Sequence, residues 1–249
     1  MGHIAHPVVN TLVKGRYVAS VATRTKDIRE IKALRGLCFG LKDTDEDGFD
    51  LECTHIAVRH RDDDRLVACF RMQSFDGATI TSSYSAQFYD LSALTDFKGT
   101  MVELGRFCIH PQENDPDILR LAWAVLTSYV DQRDVKLLFG CSSFTGTDPA
   151  QFNDAFAILR DRHLAPTNWA PKPKAPDLFK FAQALDHKPD IKQAMRQMPN
   201  LLRTYLLMGG WVSDHAVFDH TLNTTHVFTG VEIDAIPAAR KRLLRADVG

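Results

Sequence analysis

Apolar positions along the chain follow two periods, and the switches between them outline the elements. Tyr17 to Thr23 (YVASVAT) alternates β-forming residues and predicts a strand. Ile28, Ile31, Leu34, Leu37 and Cys38 then recur at helical spacing, with Thr25 as N-cap ahead of Asp27. The acidic stretch 43–50 (DTDEDGFD) has no period and predicts a loop. Thr54 to Arg59 and Leu66 to Met72 flank the charged turn Asp62-Asp63-Asp64 as a hairpin. The stretch 74–98 is irregular, with a short helix predicted around 86–94, and Met101 to His110 predicts a strand ending at Pro111.

The clearest helix is Pro116 to Arg133, where Ile118, Leu121, Ala122, Val125, Leu126 and Tyr129 line one face behind an opening proline. A buried strand follows at 135–141 and a helix at 151–162. Pro166, Pro171, Pro173 and Pro176 mark a loop. A helix at 191–208 closes at Gly209-Gly210, and a last strand at 225–233 precedes a basic segment. Strands alternating with helices around an early hairpin predict an α/β (α+β) sheet with helices on its faces. The chain is expected to form a single domain over 1–249, with a core at about 17–165 and a C-terminal extension at about 166–249.

Composition narrows the function classes. With 30 Lys+Arg against 31 Asp+Glu in 249 residues, the net charge of −1 argues against a nucleic-acid binder driven by bulk electrostatics. Val8-Val9 and Leu12-Val13 are split by polar residues, so no leader-type apolar core is expected, and the longest apolar runs are too short to cross a bilayer. The expected location is the cytoplasm, peripheral at most to the inner face of the membrane. The five cysteines are scattered without C-x-x-C, and no metal site or tightly bound cofactor is expected.

Gly140-Cys-Ser-Ser-Phe144 fails the nucleophile-elbow pattern at its fifth position. Asp43, Asp45, Asp47 and Asp50 lack calcium-loop spacing, because Thr54 stands where the closing Glu belongs. The loop then reads either as solvated or as a site for an ammonium group. Glu103-Leu-Gly-Arg-Phe107 is more informative. Charges inside an apolar strand are costly unless paired, and regular alternation sends positions 103 and 106 to opposite faces. Either a bulge at Gly105 brings Glu103 and Arg106 together, or the two have different partners. Arg71 likewise interrupts an apolar strand, where it would hold a substrate carboxylate or neutralise Glu103. At the end of the chain, Arg240, Lys241, Arg242 and Arg245 suit anionic headgroups or an acidic carrier protein, a frayed solvated tail being the plainer alternative.

These residues together resemble the ornithine-lipid-type N-acyltransferases of the GNAT superfamily, relatives of acyl-homoserine-lactone synthases. The resemblance runs over about 17–236: Phe49-Asp50 to His55, Leu66-Val67-Ala68 with Arg71, then Glu103-Leu-Gly-Arg-Phe-Cys-Ile-His-Pro111. Trp123, Leu138-Phe-Gly-Cys-Ser-Ser143 and Pro199-Asn-Leu-Leu-Arg-Thr-Tyr-Leu206 continue it. It implies a GNAT-like central mixed sheet flanked by helices, with an opening for a pantetheine-linked thioester. It also implies transfer of a fatty acyl group, typically 3-hydroxylated, to an amino acid's α-amine, most simply that of ornithine, giving a lyso-aminolipid.

Gln112 to Pro116 lacks the basic, glycine-containing turn that grips coenzyme A in acetyl-transferring relatives, which favours acyl carrier protein as donor over acyl-CoA. Thr225-His226 departs from the small residue and acid expected there. In this scheme Glu103 and Arg106 are catalytic, while Arg71, Asp47, Asp50, Phe107, Cys141 and Ser142 bind substrate. The alternatives are a homoserine-lactone synthase using S-adenosylmethionine, which the same Asp47, Asp50, Arg71, Glu103 and Arg106 permit, and a non-catalytic carrier- or membrane-binding protein of this fold.

Overall fold

The computed structural model describes residues 11–246; Val8-Val9 of the N-terminal segment lies outside them. In chain order the elements are β1 (Leu12–Lys14), β2 (Tyr17–Val21), α1 (Thr25–Cys38), β3 (Thr54–His60), β4 (Leu66–Phe75), β5 (Tyr89–Asp90), β6 (Thr100–Ile109), α2 (Pro116–Arg133) and β7 (Val135–Thr145). There follow α3 (Asn153–Arg162), β8 (Lys172–Pro173), β9 (Leu178–Phe179), α4 (Phe181–Ala184), α5 (Ile191–Gln197), α6 (Asn200–Leu207), β10 (Trp211–Asp219), β11 (Thr224–Glu232) and α7 (Ala238–Ala246). The fold is mixed α/β, mostly antiparallel sheet with flanking helices, in the class the resemblance implies. The chain forms two compact units, each assembled from separate stretches.

The first unit contains residues 11–73, 104–135 and 238–246. Its strands run β1-β2-β3-β4, all antiparallel, and the β3–β4 register sets His55 opposite Arg71. The amphipathic α2 begins where the sequence places it: Pro116 occupies the first turn and the Asp115 side chain accepts from the Asp117 N–H. Its apolar face is buried, from Ile118 to Val130. Helix α1 starts at Thr25 but without the expected threonine cap. Arg24 precedes it and grips Asp27 through two hydrogen bonds of 2.9 and 2.8 Å instead. The basic terminus is helix α7 rather than a frayed tail, because Arg245 pairs with Asp131 of α2 at 2.8 and 3.0 Å.

Gly36 permits the close approach that shapes this unit's acidic loop. Leu41 N–H donates to the Gly36 carbonyl and Asp45 N–H to that of Lys32, which folds the loop back along α1. A Cβ at Gly36 would lie 2.2 Å from the Asp43 carbonyl oxygen.

The second unit contains residues 74–103 and 136–237. Its strands run β7-β11-β10-β9, again antiparallel, with β5 and β8 paired separately. Gly230 is required here, since Trp211 lies flat across it with ring atoms 2.4 Å from where a Cβ would stand. One core gathers Tyr89, Leu94, Phe139, Trp211 and Phe228, and a second joins Phe144, Phe156, Phe181 and Leu202.

Three expectations are corrected in this unit. The helix expected at 86–94 is broken into 3-10 turns at Ser85–Gln87 and Ser92–Asp96 around β5, because Asp90 accepts the Ser92 N–H and pulls the chain out of helical register. The helix expected at 191–208 divides into α5 and α6 at Met198-Pro199. Strand β10 was hidden by Ser213-Asp214-His215. A register shift falls between Val212 and Ala216, where Ser213 Oγ donates to the His215 carbonyl and accepts the Phe228 N–H.

Replacing glycine by alanine inside a helix ordinarily stabilises it by about 1 kcal/mol. Gly36→Ala should instead destabilise the protein by about 2 kcal/mol or more, through overpacking against the 43–45 backbone. Urea unfolding checks both sign and size.

Candidate functional site

The first unit carries a buried array of three guanidinium groups and three carboxylates. Helix α1 supplies Arg35, on the same buried side as Ile31 and Leu34, while β4 supplies Arg71, β6 supplies Arg106, and the 43–51 loop supplies Asp45, Asp47 and Asp50. Arg35 donates to Asp45 (Nε–Oδ2, 2.6 Å) and Asp50 (Nη1–Oδ1, 2.7 Å). Arg71 donates to Asp47 at 2.6 and 2.8 Å and to Asp50 at 2.6 Å. Arg106 donates to Asp45 at 2.8 Å and Asp47 at 3.0 Å, and its guanidinium lies 5.6 Å from the Phe39 ring centre. The loop also closes on itself, with Phe49 N–H bonded to Asp47 and Asp47 N–H bonded to Asp50.

Charges removed from water are tolerated only when each is matched and hydrogen-bonded, and here three positive groups face three negative ones. Burial pushes the Asp47 and Asp50 carboxyls up, yet both are held below the ordinary 3.8, because the arginine hydrogen bonds and charges outweigh it: Arg71 and Arg106 at Asp47, Arg35 and Arg71 at Asp50. Burial lowers His55, which favours the neutral imidazole, whose Nε2 meets the Asp50 carbonyl at 2.9 Å. Arg106 adopts φ +53°, a left-handed conformation that costs a non-glycine residue about 1–2 kcal/mol. The distortion of β6 therefore sits on Arg106 itself, beside Gly105.

In the second unit, Glu103 is held by an unrelated set of donors. Its Oε2 accepts the Tyr84 N–H at 2.9 Å, and its Oε1 accepts the Ser85 N–H at 2.7 Å and the Ser85 hydroxyl at 2.5 Å. These donors open the 3-10 turn at Ser85–Gln87, so the carboxylate sits at a turn N-terminus. Glu103 meets Tyr84 and Ser85, and Arg106 meets Asp45 and Asp47. The 43–50 segment is a charge-paired loop with Asp45 and Asp50 buried, not a solvated one.

Arg71, Arg106, Asp47 and Asp50 thus share one array, with the Asp47 side chain the most exposed of its carboxylates at 21% against 6% for Asp45 and Asp50. In the same unit Phe107 stacks on Phe70 with ring centres 5.4 Å apart. In the second unit Cys141 Sγ lies 3.5 Å from Ser85 Oγ, and Ser142 Oγ accepts from Thr229 at 2.9 Å. His226, where the resemblance departs, is buried with its carbonyl accepting the Tyr89 hydroxyl at 2.8 Å.

Arg35, Tyr84 and Ser85 were absent from the sequence reading. Arg35 had a signal, a charge four residues after Ile31 on the apolar side of α1. The other two had none, since only tertiary structure brings them to a residue 18 or 19 positions away.

Residues 35–124 match the model of the acetyltransferase (GNAT) domain family. The chain is similar to an L-ornithine N(alpha)-acyltransferase of Rhodobacter capsulatus, at 34% identity over 70% of this chain and 66% of that protein. It is also similar to proteins of the same name from Brucella abortus (28%, covering 83% and 76%) and Rhizobium meliloti (26%, covering 89% and 78%). Among solved structures, the N-acyl amino acid synthase FeeM from uncultured soil microbes aligns with a TM-score of 0.52 at 10% identity, covering 88% of this chain and 92% of that one. The loading GNAT-like domain of CurA from Lyngbya majuscula aligns with a TM-score of 0.51 at 14% identity, covering 88% and 99%. At such identities these two speak for the fold alone. Among the described residues, no helix is long and apolar enough to cross a membrane.

Arg71→Met should destabilise the protein by about 3–5 kcal/mol, because it leaves buried carboxylates without their cation. The array also sets an acid limit. With Asp47 and Asp50 held below 3.8, its contribution to stability is fully present above that value and is lost as pH falls below it through the folded values. Urea unfolding across pH 2 to 7 should show this loss, with a shallower acid slope and lower neutral-pH stability in Asp50→Asn.

Proposed function

This chain belongs to the GNAT-domain acyltransferases related to L-ornithine N(alpha)-acyltransferase, and we propose that it moves a 3-hydroxy fatty acyl group from acyl carrier protein to the α-amine of ornithine. The product would be a lyso-aminolipid. The observation that carries the reading is the similarity to the Rhodobacter protein, whose length this chain spans to about two thirds. The Glu103-Leu-Gly-Arg106 segment supports it, with each charge rigidly held inside an apolar strand.

The chemistry is aminolysis of a thioester. The amine nitrogen attacks the acyl carbon, the C–N bond forms, the C–S bond breaks, and the amine's proton ends on the departing thiolate. The nucleophile is the neutral amine, whereas free α-amino groups titrate near ~8, so a group that accepts the proton accelerates the step. Glu103 is assigned that role. The Tyr84 and Ser85 donors keep the carboxylate in one orientation, which is what a base acting on a placed amine needs. Backbone N–H groups of β6 are assigned to the tetrahedral oxyanion.

The Arg35, Arg71 and Arg106 array is assigned to the acceptor side, Arg106 acting by fixing Asp45 and Asp47. Asp47, its most exposed carboxylate, suits the side-chain ammonium of ornithine. Phe107, Cys141 and Ser142 are assigned to substrate contact. Asp115 supports carrier protein over coenzyme A as donor: it caps the N-terminus of α2 with its own carboxylate, at a helix end that otherwise favours phosphate. The exposed Arg242 and Leu243 of α7 suit a peripheral contact with an anionic membrane surface.

Purified protein supplied with 3-hydroxyacyl carrier protein and ornithine should yield the amide, with acyl-CoA a poorer donor. Glu103→Gln should lower kcat at least 100-fold with the fold retained by circular dichroism. Near-normal turnover of that variant would remove Glu103 from its role, and absence of amide from every thioester donor would overturn the reading.

A further inference from the structure

Ser85 lies in the second unit with no exposed surface, so it is out of reach of a substrate, yet its side chain is one of the most tightly engaged hydroxyls there. A serine hydroxyl carries a single proton. At 2.5 Å from Glu103 Oε1 that proton is donated to the carboxylate. The oxygen lone pairs are then left for the other neighbour, Cys141 Sγ at 3.5 Å. The order of the chain is thereby fixed: the Cys141 thiol donates to Ser85, and Ser85 donates to Glu103. The Ser85 N–H adds a second bond to the same carboxylate oxygen at 2.7 Å. Ser83 braces the turn, its Oγ accepting the Ala86 N–H at 3.3 Å. The titratable groups joined in this chain are Glu103 on β6 and Cys141 on β7; the Tyr89 phenol of β5 stands near the thiol and is pushed up first by burial and then by its interaction with Cys141.

We propose that Ser85 is a positioning residue for acyl transfer: its hydroxyl fixes the orientation of the Glu103 carboxylate and couples it to the Cys141 thiol. The proposal rests on the N-acyltransferase reading for its consequence and on the geometry alone for the coupling. Removing the hydroxyl takes away one donor that favours the charged carboxylate, so the base gains affinity for protons and loses its fixed orientation. It also releases the thiol from its acceptor.

Two measurements on the full chain test this separately. The first is the rate of Cys141 alkylation by iodoacetamide at pH 8, followed by peptide mass spectrometry, which needs no turnover. Ser85→Ala and Glu103→Gln should each raise it about three-fold or more, and Glu103→Gln should add little once Ser85 is alanine. The second is the pH dependence of kcat/KM with acyl carrier protein as donor. Ser85→Ala should move its acidic limb upward by about half a unit to one unit and lower kcat about ten-fold, with donor KM within two-fold. Ser85→Thr, which restores the hydroxyl, should reverse both effects.

An alkylation rate that ignores Ser85 and Glu103 overturns the coupling, whatever the activity. A coupled thiol in an active enzyme whose acidic limb stays fixed in Ser85→Ala overturns the positioning role. A coupled thiol in a wild-type protein that transfers no acyl group keeps the coupling and removes the proposed function instead.

Discussion

A charge taken out of water must be matched where it lands, and the first unit is organised around that requirement. Arg35, Arg71 and Arg106 come from a helix and two strands, and none of them is tolerable in an apolar element without a carboxylate. The 43–51 loop supplies all three acids within six residues, so one short segment is tied to three elements at once. Gly36 gives the loop room against α1, and the Asp47–Asp50 cap gives it a fixed internal shape. The left-handed backbone at Arg106 is the cost of bringing the third guanidinium to the array, and its two carboxylate contacts hold it there.

Glu103 obeys the same rule by other means. Two backbone N–H groups and a serine hydroxyl meet the carboxylate directly. Hydrogen bonds from neutral donors fix an anion's direction without cancelling its charge, whereas a bidentate arginine does both. That difference separates a carboxylate suited to accept a proton from carboxylates suited to hold a loop together. It supports the proposal that Glu103 is the base, with Asp45 and Asp50 as scaffold.

Much of this was legible in the sequence, and the parts that were not share a cause. Helix α2 was read to the residue because Pro116 opens it and its apolar stripe runs unbroken. Arg71, Glu103 and Arg106 stood out as charges in apolar strands, which a single chain displays openly. Strand β10 was hidden because Ser213, Asp214 and His215 interrupt its alternation where the β11 register shifts. Ser85 and Tyr84 were invisible, being small or ordinary residues in an irregular stretch. The irregularity of 74–98 was read correctly, but not its purpose, which is to turn two N–H groups and a hydroxyl toward a strand.

The proposed chemistry ends in an amide, not in a lactone or in carrier binding alone. The most direct measurement is mass spectrometry of the lipids of a host that makes no aminolipid, expressing either the chain or its Glu103→Gln variant. The account predicts a new N-(3-hydroxyacyl)ornithine from the chain and its loss in the variant. An acyl-homoserine lactone, or a lipid profile identical to that of the empty host, would contradict it.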